Sequence, residues 1–353
     1  MATSAPASTS NVIDLDSALK GVLSAIERER EQKIISRRFG LYDRKETLEQ
    51  IGELLGITRE RVRQLEKAVM IRLKTAAASG NLTSVTNIEQ RILTMLSKNS
   101  NVMRISDLAE QMTKQGNRID QSRIFFIAEL APNISVIDEN DLFYSSVGTK
   151  SLHDEKKIQD LSNKIVETIK KIGRPAAVAN IAKMAGYEDA GNVAALASIS
   201  KQLAELNGQW GLSKWPMVNP KNIRDKIYVI LHEKGSHMHF NEISEAIRKS
   251  DFKRKDVTTQ AIHNELIKDK RFVLIGRGIY ALQEWGYKKG TVADMIVEVL
   301  RDAPEPLHRD EIVKRVLKSR HVKETTILLN LQGKPQFKRV AKATYTLADS
   351  PTK

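Results

Sequence analysis

The chain has 353 residues, of which 28% are charged, and it carries a formal charge of +14 without a single cysteine. This length suffices for several small domains, the missing cysteines exclude disulfides and cysteine-ligated zinc, and no apolar run approaches the roughly 20 residues of a membrane span. The basic excess fits nucleic acid, although an anionic membrane or acidic proteins would also attract it. It is concentrated in residues 214–353, which hold 28 basic and 17 acidic side chains.

The first predicted helix follows a tail of small residues. Residues 1–11 have no charged side chain and no apolar core of the kind found in a secretory signal. We therefore predict a disordered tail before Val12. Apolar residues then recur at helical spacing from Leu15 to Ile26. This pattern predicts a helix that continues through Ile34, Ile35 and Phe39 until Gly40 stops it.

The stretch from Thr47 to Lys74 predicts two helices joined by a tight turn. Thr47 and Gln50 fit a capping box, Gly56 ends the first helix, and Thr58 is a good N-cap for the second. In the second helix the apolar positions form one stripe, namely Val62, Leu65, Val69 and Leu73. Its opposite face carries Glu60, Arg63, Gln64 and Lys67, with Arg59 and Arg61 in the first turn. A helix-turn-helix presents such a face to the DNA major groove, where Arg binds guanine and Gln binds adenine.

These residues carry a family resemblance. REREQKIISRRFGL (28–41) and TLEQIGELLGITRERVRQLEKA (47–68) resemble region 4 of the bacterial housekeeping sigma factors, and the similarity extends over about 16–74. The resemblance implies recognition of the −35 element of a double-stranded promoter and contact with the β flap of RNA polymerase. It implies base-reading roles for Arg59, Glu60, Arg63 and Gln64, and phosphate contacts for Thr58, Arg61 and Lys67. The alternative is a merely solvated helix face.

Beyond a predicted linker at 76–87, the chain repeats itself four times. The copies begin at Arg91, Lys164, Lys226 and Met295, and each contains an apolar helix, a turn and an amphipathic helix. Each ends in a predicted β-hairpin, at 133–146, about 202–214, 271–282 and 336–347. Three helices and a hairpin describe a winged helix.

The last two copies, about 222–348, resemble the HARE-type helix-turn-helix domain, which also occurs in proteins similar to the RNA polymerase delta subunit. The shared pattern is I-x-x-V-L, then an apolar residue, His, a dipeptide and Glu-Ile, closed by a Tyr-containing hairpin. This resemblance implies a nucleic-acid setting without implying an activity. The predicted boundaries are 1–11 tail, 12–75 sigma region 4-like module, 76–87 linker, and winged helices at 88–148, 157–216, 220–286 and 290–348.

Basic side chains mark the last two copies as candidate phosphate contacts. In the third copy they are Lys253, Arg254, Lys255, Arg271 and Arg277, around a predicted recognition helix at 258–268. In the fourth they are Lys314, Arg315, Lys318, Arg320, Lys323, Lys338, Arg339 and Lys342. A solvated basic face is the alternative. The first two copies are neutral overall, which favours a structural or protein-binding role.

Apparent catalytic motifs fail on spacing. In HEKGSH the second histidine, His237, comes five residues after His232, and Gly235 would interrupt the helix that a zinc protease needs. The run Asp154-Glu155-Lys156-Lys157 has the common composition of a charged linker, and no GxxxxGK[ST] phosphate loop is present. We therefore expect no enzymatic activity, no metal, no cofactor and no small-molecule substrate.

The sequence thus predicts a mainly α protein with a sigma region 4 helix-turn-helix followed by four tandem winged helices. We expect a cytoplasmic, nucleoid-associated, DNA-binding transcription protein that recognises a −35-like element, associates with RNA polymerase and does not bind membranes. Because no promoter-melting segment precedes residue 11, we expect an accessory regulator rather than a self-sufficient initiator. The alternative is a DNA-recognition or scaffold component of a restriction–modification or other nucleoprotein system.

Overall fold

The computed structural model describes residues 14–113, 115–152, 154–252, 254 and 256–349. The predicted disordered tail, 1–11, lies outside these residues. The chain divides between Lys214 and Trp215 into two compact lobes, here called the N-lobe and the C-lobe. Over the described ranges, no helix combines the length and the apolar character that crossing a membrane would require.

The N-lobe begins with four helices: α1 (Leu15–Ser24), α2 (Glu29–Phe39), α3 (Leu48–Leu55) and α4 (Arg59–Ala78). The prediction of one continuous helix up to Gly40 was wrong, because the chain leaves the helix between α1 and α2. This break places Ile26 in the core, and the side-chain Nε2 of Gln32 donates to the freed carbonyl of Ile26 at 2.7 Å. Gly40 does end α2, in the left-handed conformation.

The predicted linker, 76–87, is largely helical. Helix α4 continues to Ala78 and α5 (Thr83–Lys98) starts four residues after Ser79. Ala76, Ala77 and Ala78 had indicated a loop through their small size, yet alanine has the highest intrinsic helix propensity. Ala77 is buried in the N-lobe core, so tertiary packing reinforces that propensity.

Four segments follow with one shared order of elements: helix, short strand, two helices and two strands. Repeat 1 holds α5, β1 (Val102–Arg104), α6 (Ile105–Met112), α7 (Arg118–Leu130), β2 (Ile134–Ile137) and β3 (Ser146–Thr149). Repeat 2 holds α8 (Glu155–Ile172), β4 (Ala176–Ala177), α9 (Val178–Ala185), α10 (Ala190–Ser198), β5 (Leu203–Leu206) and β6 (Gln209–Leu212).

Repeats 3 and 4 lie in the C-lobe. Repeat 3 holds α11 (Ile223–Lys234), β7 (Met238–His239), α12 (Phe240–Lys249), α13 (Thr259–Lys268), β8 (Phe272–Gly276) and β9 (Ile279–Leu282), followed by a 3₁₀ turn, Gln283–Trp285. Repeat 4 holds α14 (Val292–Arg301), β10 (Leu307–His308), α15 (Arg309–Ser319), α16 (Glu324–Gly333), β11 (Phe337–Ala341) and β12 (Thr344–Leu347).

Each repeat closes its helices with a three-stranded antiparallel sheet whose last strand lies in the middle. The sequence had predicted the hairpins but missed the short first strands, since two or three residues are too few to show alternation. In repeat 1 the second hairpin strand begins only at Ser146, where the hairpin predicted at 133–146 was expected to end. The interval contacts repeat 2 instead: the Tyr144 amide donates to Ile199 O at 2.9 Å.

The core of the N-lobe joins α1, α2 and α4 to repeat 1. A single buried cluster runs from Leu15 in α1 through Leu73 in α4 to Phe126 in α7 and Val147 in β3. The helix-turn-helix adds a small separate cluster of Ile34, Ile51 and Val62. Most of the buried apolar residues of the N-terminal module therefore lie in a core that the module shares with repeat 1.

Candidate nucleic-acid interface

Helix α4 is positioned by the turn that precedes it. Thr47 caps α3 in a complete capping box with Gln50, and Gly56 ends α3 in the left-handed conformation. The Thr58 hydroxyl then accepts from the Arg61 amide at 3.2 Å and starts α4. The start and end residues predicted for α3 and the start predicted for α4 are confirmed here. Thr58 thus holds the first turn of α4 while its hydroxyl hydrogen remains able to donate.

The predicted base-reading side chains project from the exposed side of α4. Val62, Val69 and Leu73 are buried on the opposite side, as the apolar stripe predicted. Arg59, Glu60, Arg63 and Gln64 lie on the outer side together with Arg61 and Lys67, and all six are exposed. The structure therefore groups the predicted base and phosphate contacts on the first three turns of one helix, where N-terminal residues of a recognition helix approach base edges.

Ion pairs hold this outer group in place. Arg63 donates twice to the Glu60 carboxylate, from Nη2 at 2.6 Å and from Nε at 2.9 Å. The hydrogen bond from Arg63 holds the pKa of Glu60 below its usual range, and the same bond raises the pKa of Arg63. Both groups are therefore charged at neutral pH. The two planar groups already meet in the bidentate geometry that Arg uses towards guanine.

Two further contacts extend the network. Arg59 Nη1 lies 2.7 Å from the Glu49 carboxylate in the first turn of α3, a partner that helical spacing within α4 could not reveal. Arg61 donates to the Gln64 side-chain oxygen at 3.3 Å. Each exposed pair exchanges partners at small cost in water. The arrangement can therefore release these side chains to bases and phosphates.

The phosphate candidates of repeat 3 are only partly described. Lys253 and Lys255 lie outside the described residues, and Arg254 between them is exposed. Arg277 is exposed at the turn between β8 and β9. The predicted recognition helix is α13, which starts where Thr258 accepts from the Ala261 amide at 3.2 Å.

Arg271, also proposed as a basic hairpin residue, has a structural role. Its guanidinium binds both oxygens of Asp269, lies 3.2 Å from Asp225 and stacks on the Tyr228 ring at 5.3 Å. Although burial raises the pKa of Asp269, the hydrogen bonds and charge of Arg271 outweigh burial and hold that pKa below its usual range. The two carboxylates neutralise Arg271, so a phosphate would have to displace them.

Arg320 also acts inside the C-lobe. It donates from Nη1 to Leu274 O at 2.9 Å, and the next residue, His321, donates its amide to Ile275 O at 3.0 Å. Burial lowers the pKa of Arg320, and the charge of Asp294 opposes that shift. Arg320 therefore ties repeat 4 to strand β8 of repeat 3. Sequence reasoning counted it as a surface cation because no local pattern distinguishes it from its exposed neighbours Lys314, Arg315 and Lys318.

The stretch around HEKGSH and the charged run at 154–157, which resembled catalytic motifs, end or cap helices. Gly235 ends α11 in the left-handed conformation after His232, and His239 caps α12 together with Glu242. Asp154 caps α8 by accepting from the Lys157 amide at 2.7 Å. Across the residues that the structure describes, three or more His, Asp or Glu side chains nowhere gather in a way that could hold a metal ion.

The N-terminal helices are similar in sequence to a known protein family. Residues 28–75 match the family model Sigma-70, region 4. RNA polymerase sigma factor SigA of Bacillus sp is 41% identical over 69 residues, which cover 19% of this chain and 18% of that protein. RNA polymerase sigma factor RpoD of Helicobacter pylori is 44% identical over 64 residues, which cover 18% of this chain and 9% of that protein. RNA polymerase sigma factor sigB of Arabidopsis thaliana is 44% identical over 54 residues, which cover 15% of this chain and 9% of that protein.

The chain thus spans less than a fifth of the length of these curated relatives. The matched residues contain all of α2 and α3 and nearly all of α4, so they coincide with the helix-turn-helix and its outer face. Residues 28–75 of this chain are a sigma-type region 4 helix-turn-helix.

Proposed function

We propose that this chain is a sigma-related, DNA-binding transcription protein that recognises a −35-like promoter element through α4. The observation that carries the proposal is the outer group of Arg59, Glu60, Arg63 and Gln64 on the first two turns of that helix, within the region 4 match. Arg63 would bind guanine O6 and N7, Gln64 would bind adenine, and Glu60 would accept from cytosine N4. Arg61, Lys67 and the Thr58 hydroxyl would contact phosphates.

Association with RNA polymerase, through its β flap, is the second part of the proposal. The matching relatives are named RNA polymerase sigma factors, and the matched residues form a complete folded helix-turn-helix in this chain. This role requires binding rather than chemistry, so we propose a non-enzymatic protein without cofactor or small-molecule substrate. A promoter-binding role also places it with the chromosome in the cytoplasm.

For the four repeats we propose winged helices at 88–148, 157–216, 220–286 and 290–348. Three helices and a three-stranded sheet with the last strand in the middle support this assignment. The HARE-type assignment of repeats 3 and 4 rests on their shared histidines. His239 and His308 each cap the second helix of their repeat, and Ile243 and Ile312 are buried four residues later.

Selection of bound sequences from random duplex DNA tests the proposed function. The full chain, alone and with RNA polymerase core, should enrich a −35-like motif, and Arg63→Ala should relax the preference at one position with a loss of about 1–3 kcal/mol. Lys33→Ala, an exposed cation on α2, is the matched control. If no motif is enriched in either condition, the chain is instead a scaffold or a component of another nucleoprotein system, and promoter recognition is wrong.

A further inference from the structure

Helix α13 carries one continuous exposed stripe. Gln260, Asn264, Ile267 and Lys268 follow each other at helical spacing and are all exposed, Ile267 by 60%. The opposite side is anchored by the buried Ile262 and Leu266. The stripe thus offers two amide side chains and one aliphatic side chain to whatever meets this side of the helix.

The corresponding third helices of repeats 1 and 2 lack a free face. In α7 only Arg118 is exposed, since every residue from Ile119 to Leu130 is buried or half-buried. Helix α10 contains no charged residue, and only Gly191 is exposed along it. It packs against β1 of repeat 1. Neither helix can enter a DNA groove without separating packed elements.

The third helix of repeat 4 has a free face but exposes fewer amide side chains. Exposed positions of α16 include Glu324 at its start and Leu329, which is 69% exposed. Its one exposed amide side chain, Gln332, lies in the last turn without a second exposed amide one turn away in the helix. Among the four third helices, α13 is therefore the one that carries two exposed amide side chains side by side on a free face.

Cations surround the exposed stripe of α13. Arg248, in the last turn of α12, has Nη2 3.4 Å from the Thr259 hydroxyl at the start of α13. Arg254 is exposed in the loop that leads into α13, and its carbonyl accepts from the Lys226 ammonium at 2.7 Å, which fixes the backbone there. Lys268 ends the helix. Such flanking charges neutralise phosphates on either side of a groove.

We propose that α13 is a second base-reading helix, in which Gln260 and Asn264 recognise adenine in a further element of the bound DNA. Gln260 Nε2 donates to Asn264 Oδ1 at 3.2 Å, so the amides lie side by side. Amide side chains pair bidentately with adenine N6 and N7, and an exposed aliphatic side chain such as Ile267 contacts the thymine methyl group. The stripe therefore fits an A·T-containing step, flanked by phosphate contacts from Arg248 and Arg254.

This inference rests on the proposed DNA-binding function, and the two are separable in one experiment. The full chain is used to select sequences from random duplex DNA, together with three double variants. The wild type should enrich two blocks, one of which contains adenine. Gln260→Ala with Asn264→Ala should lose that block alone and weaken binding to the two-block DNA about tenfold, whereas Arg63→Ala with Gln64→Ala should lose the other block.

Thr325→Ala with Gln332→Ala removes exposed polar groups from α16 and should leave both blocks intact. Circular dichroism of each variant should equal that of the wild type, because none of the substituted side chains is buried. A wild-type motif that stays complete in the Gln260, Asn264 variant overturns the role of α13 and leaves the α4 proposal standing. Failure of the wild type to enrich any sequence overturns both.

Discussion

Phe126, in α7, packs against Phe39 at the end of α2 with 4.9 Å between the ring centroids. Three residues earlier, Arg123 Nε donates to Leu41 O at 2.8 Å, and its guanidinium lies 2.9 Å from Asp16 in α1. The third helix of repeat 1 thus serves as the support of the sigma-type module. The module and repeat 1 consequently share one core rather than forming two domains on a tether.

Phe126→Ala should therefore destabilise the helix-turn-helix as well as repeat 1. Phe126 is fully buried, and truncating a buried Phe costs about 3–5 kcal/mol. Hydrogen exchange measured by mass spectrometry should show lost protection in α2 and α4 together with α7. Leu152→Ala, at a side chain that is 47% exposed, is the control and should change little. Loss of protection confined to repeat 1 would contradict the shared core.

The sequence predicted the helix-turn-helix closely because its signals are local. Capping at Thr47 and Thr58 and the left-handed position of Gly56 involve contacts within four residues. The shared core escaped prediction because partner choice is not local. The run from Ile124 to Ala128 is apolar on every side of α7, and such a helix must be covered all round, but spacing alone does not say by which element.

The same limit explains the misassigned cations. Arg271 and Arg320 look like surface residues in the sequence. Arg271 has a near partner in Asp269, but its second partner Asp225, like the partner Leu274 of Arg320, is 46 residues away. Glu49, which pairs with Arg59 across the turn, likewise belongs to another helix. Residue types and helical spacing were enough to identify the outer face of α4. Only the folded structure shows which of the charged side chains already form ion pairs or hydrogen bonds within the protein.

Gly40→Ala should cost more stability than Gly56→Ala. Both glycines are left-handed, with φ of 65°, so each substitution carries a backbone penalty of about 1 kcal/mol. A Cβ at Gly40 would also lie 2.8 Å from the Lys45 amide nitrogen and 2.9 Å from Asp43 O, while nothing lies within 4 Å at Gly56. Urea unfolding of the two variants measures the difference. Equal losses would show that the loop after α2 adapts freely.

The ion pair of Asp269 and Arg271 should give the C-lobe a pH-dependent stability. Because the pKa of Asp269 is lower in the folded state, its stabilisation is fully present above the unfolded pKa of about 4 and is lost as pH falls through the folded value. Asp269→Asn should cost about 1–3 kcal/mol at pH 7, and this difference should shrink progressively as the pH falls below about 4.

Hydrogen exchange in C-lobe peptides between pH 3 and 7, corrected for the intrinsic exchange rate, measures that difference. Glu305→Gln, at an exposed position before β10, is the control and should leave protection unchanged at every pH. A cost of Asp269→Asn that stayed constant down to pH 3 would contradict the prediction, because the loss would then come from the changed shape of the side chain and not from its charge.

Glu60→Gln should make the module bind DNA more tightly and less selectively. The Glu60 carboxylate is ionised at neutral pH, and Arg63 lowers its pKa further; the carboxylate holds the guanidinium and repels phosphates. Its neutral replacement frees Arg63, which would add up to about 0.9 to the slope of log affinity against log salt. The variant also loses the acceptor proposed for cytosine N4, so preference at that base should relax.

Fluorescence anisotropy on specific and random duplexes at several salt concentrations measures both effects, with Glu53→Gln on α3 as the control. Unchanged selectivity together with weaker binding to random DNA would remove Glu60 from the proposed base contacts.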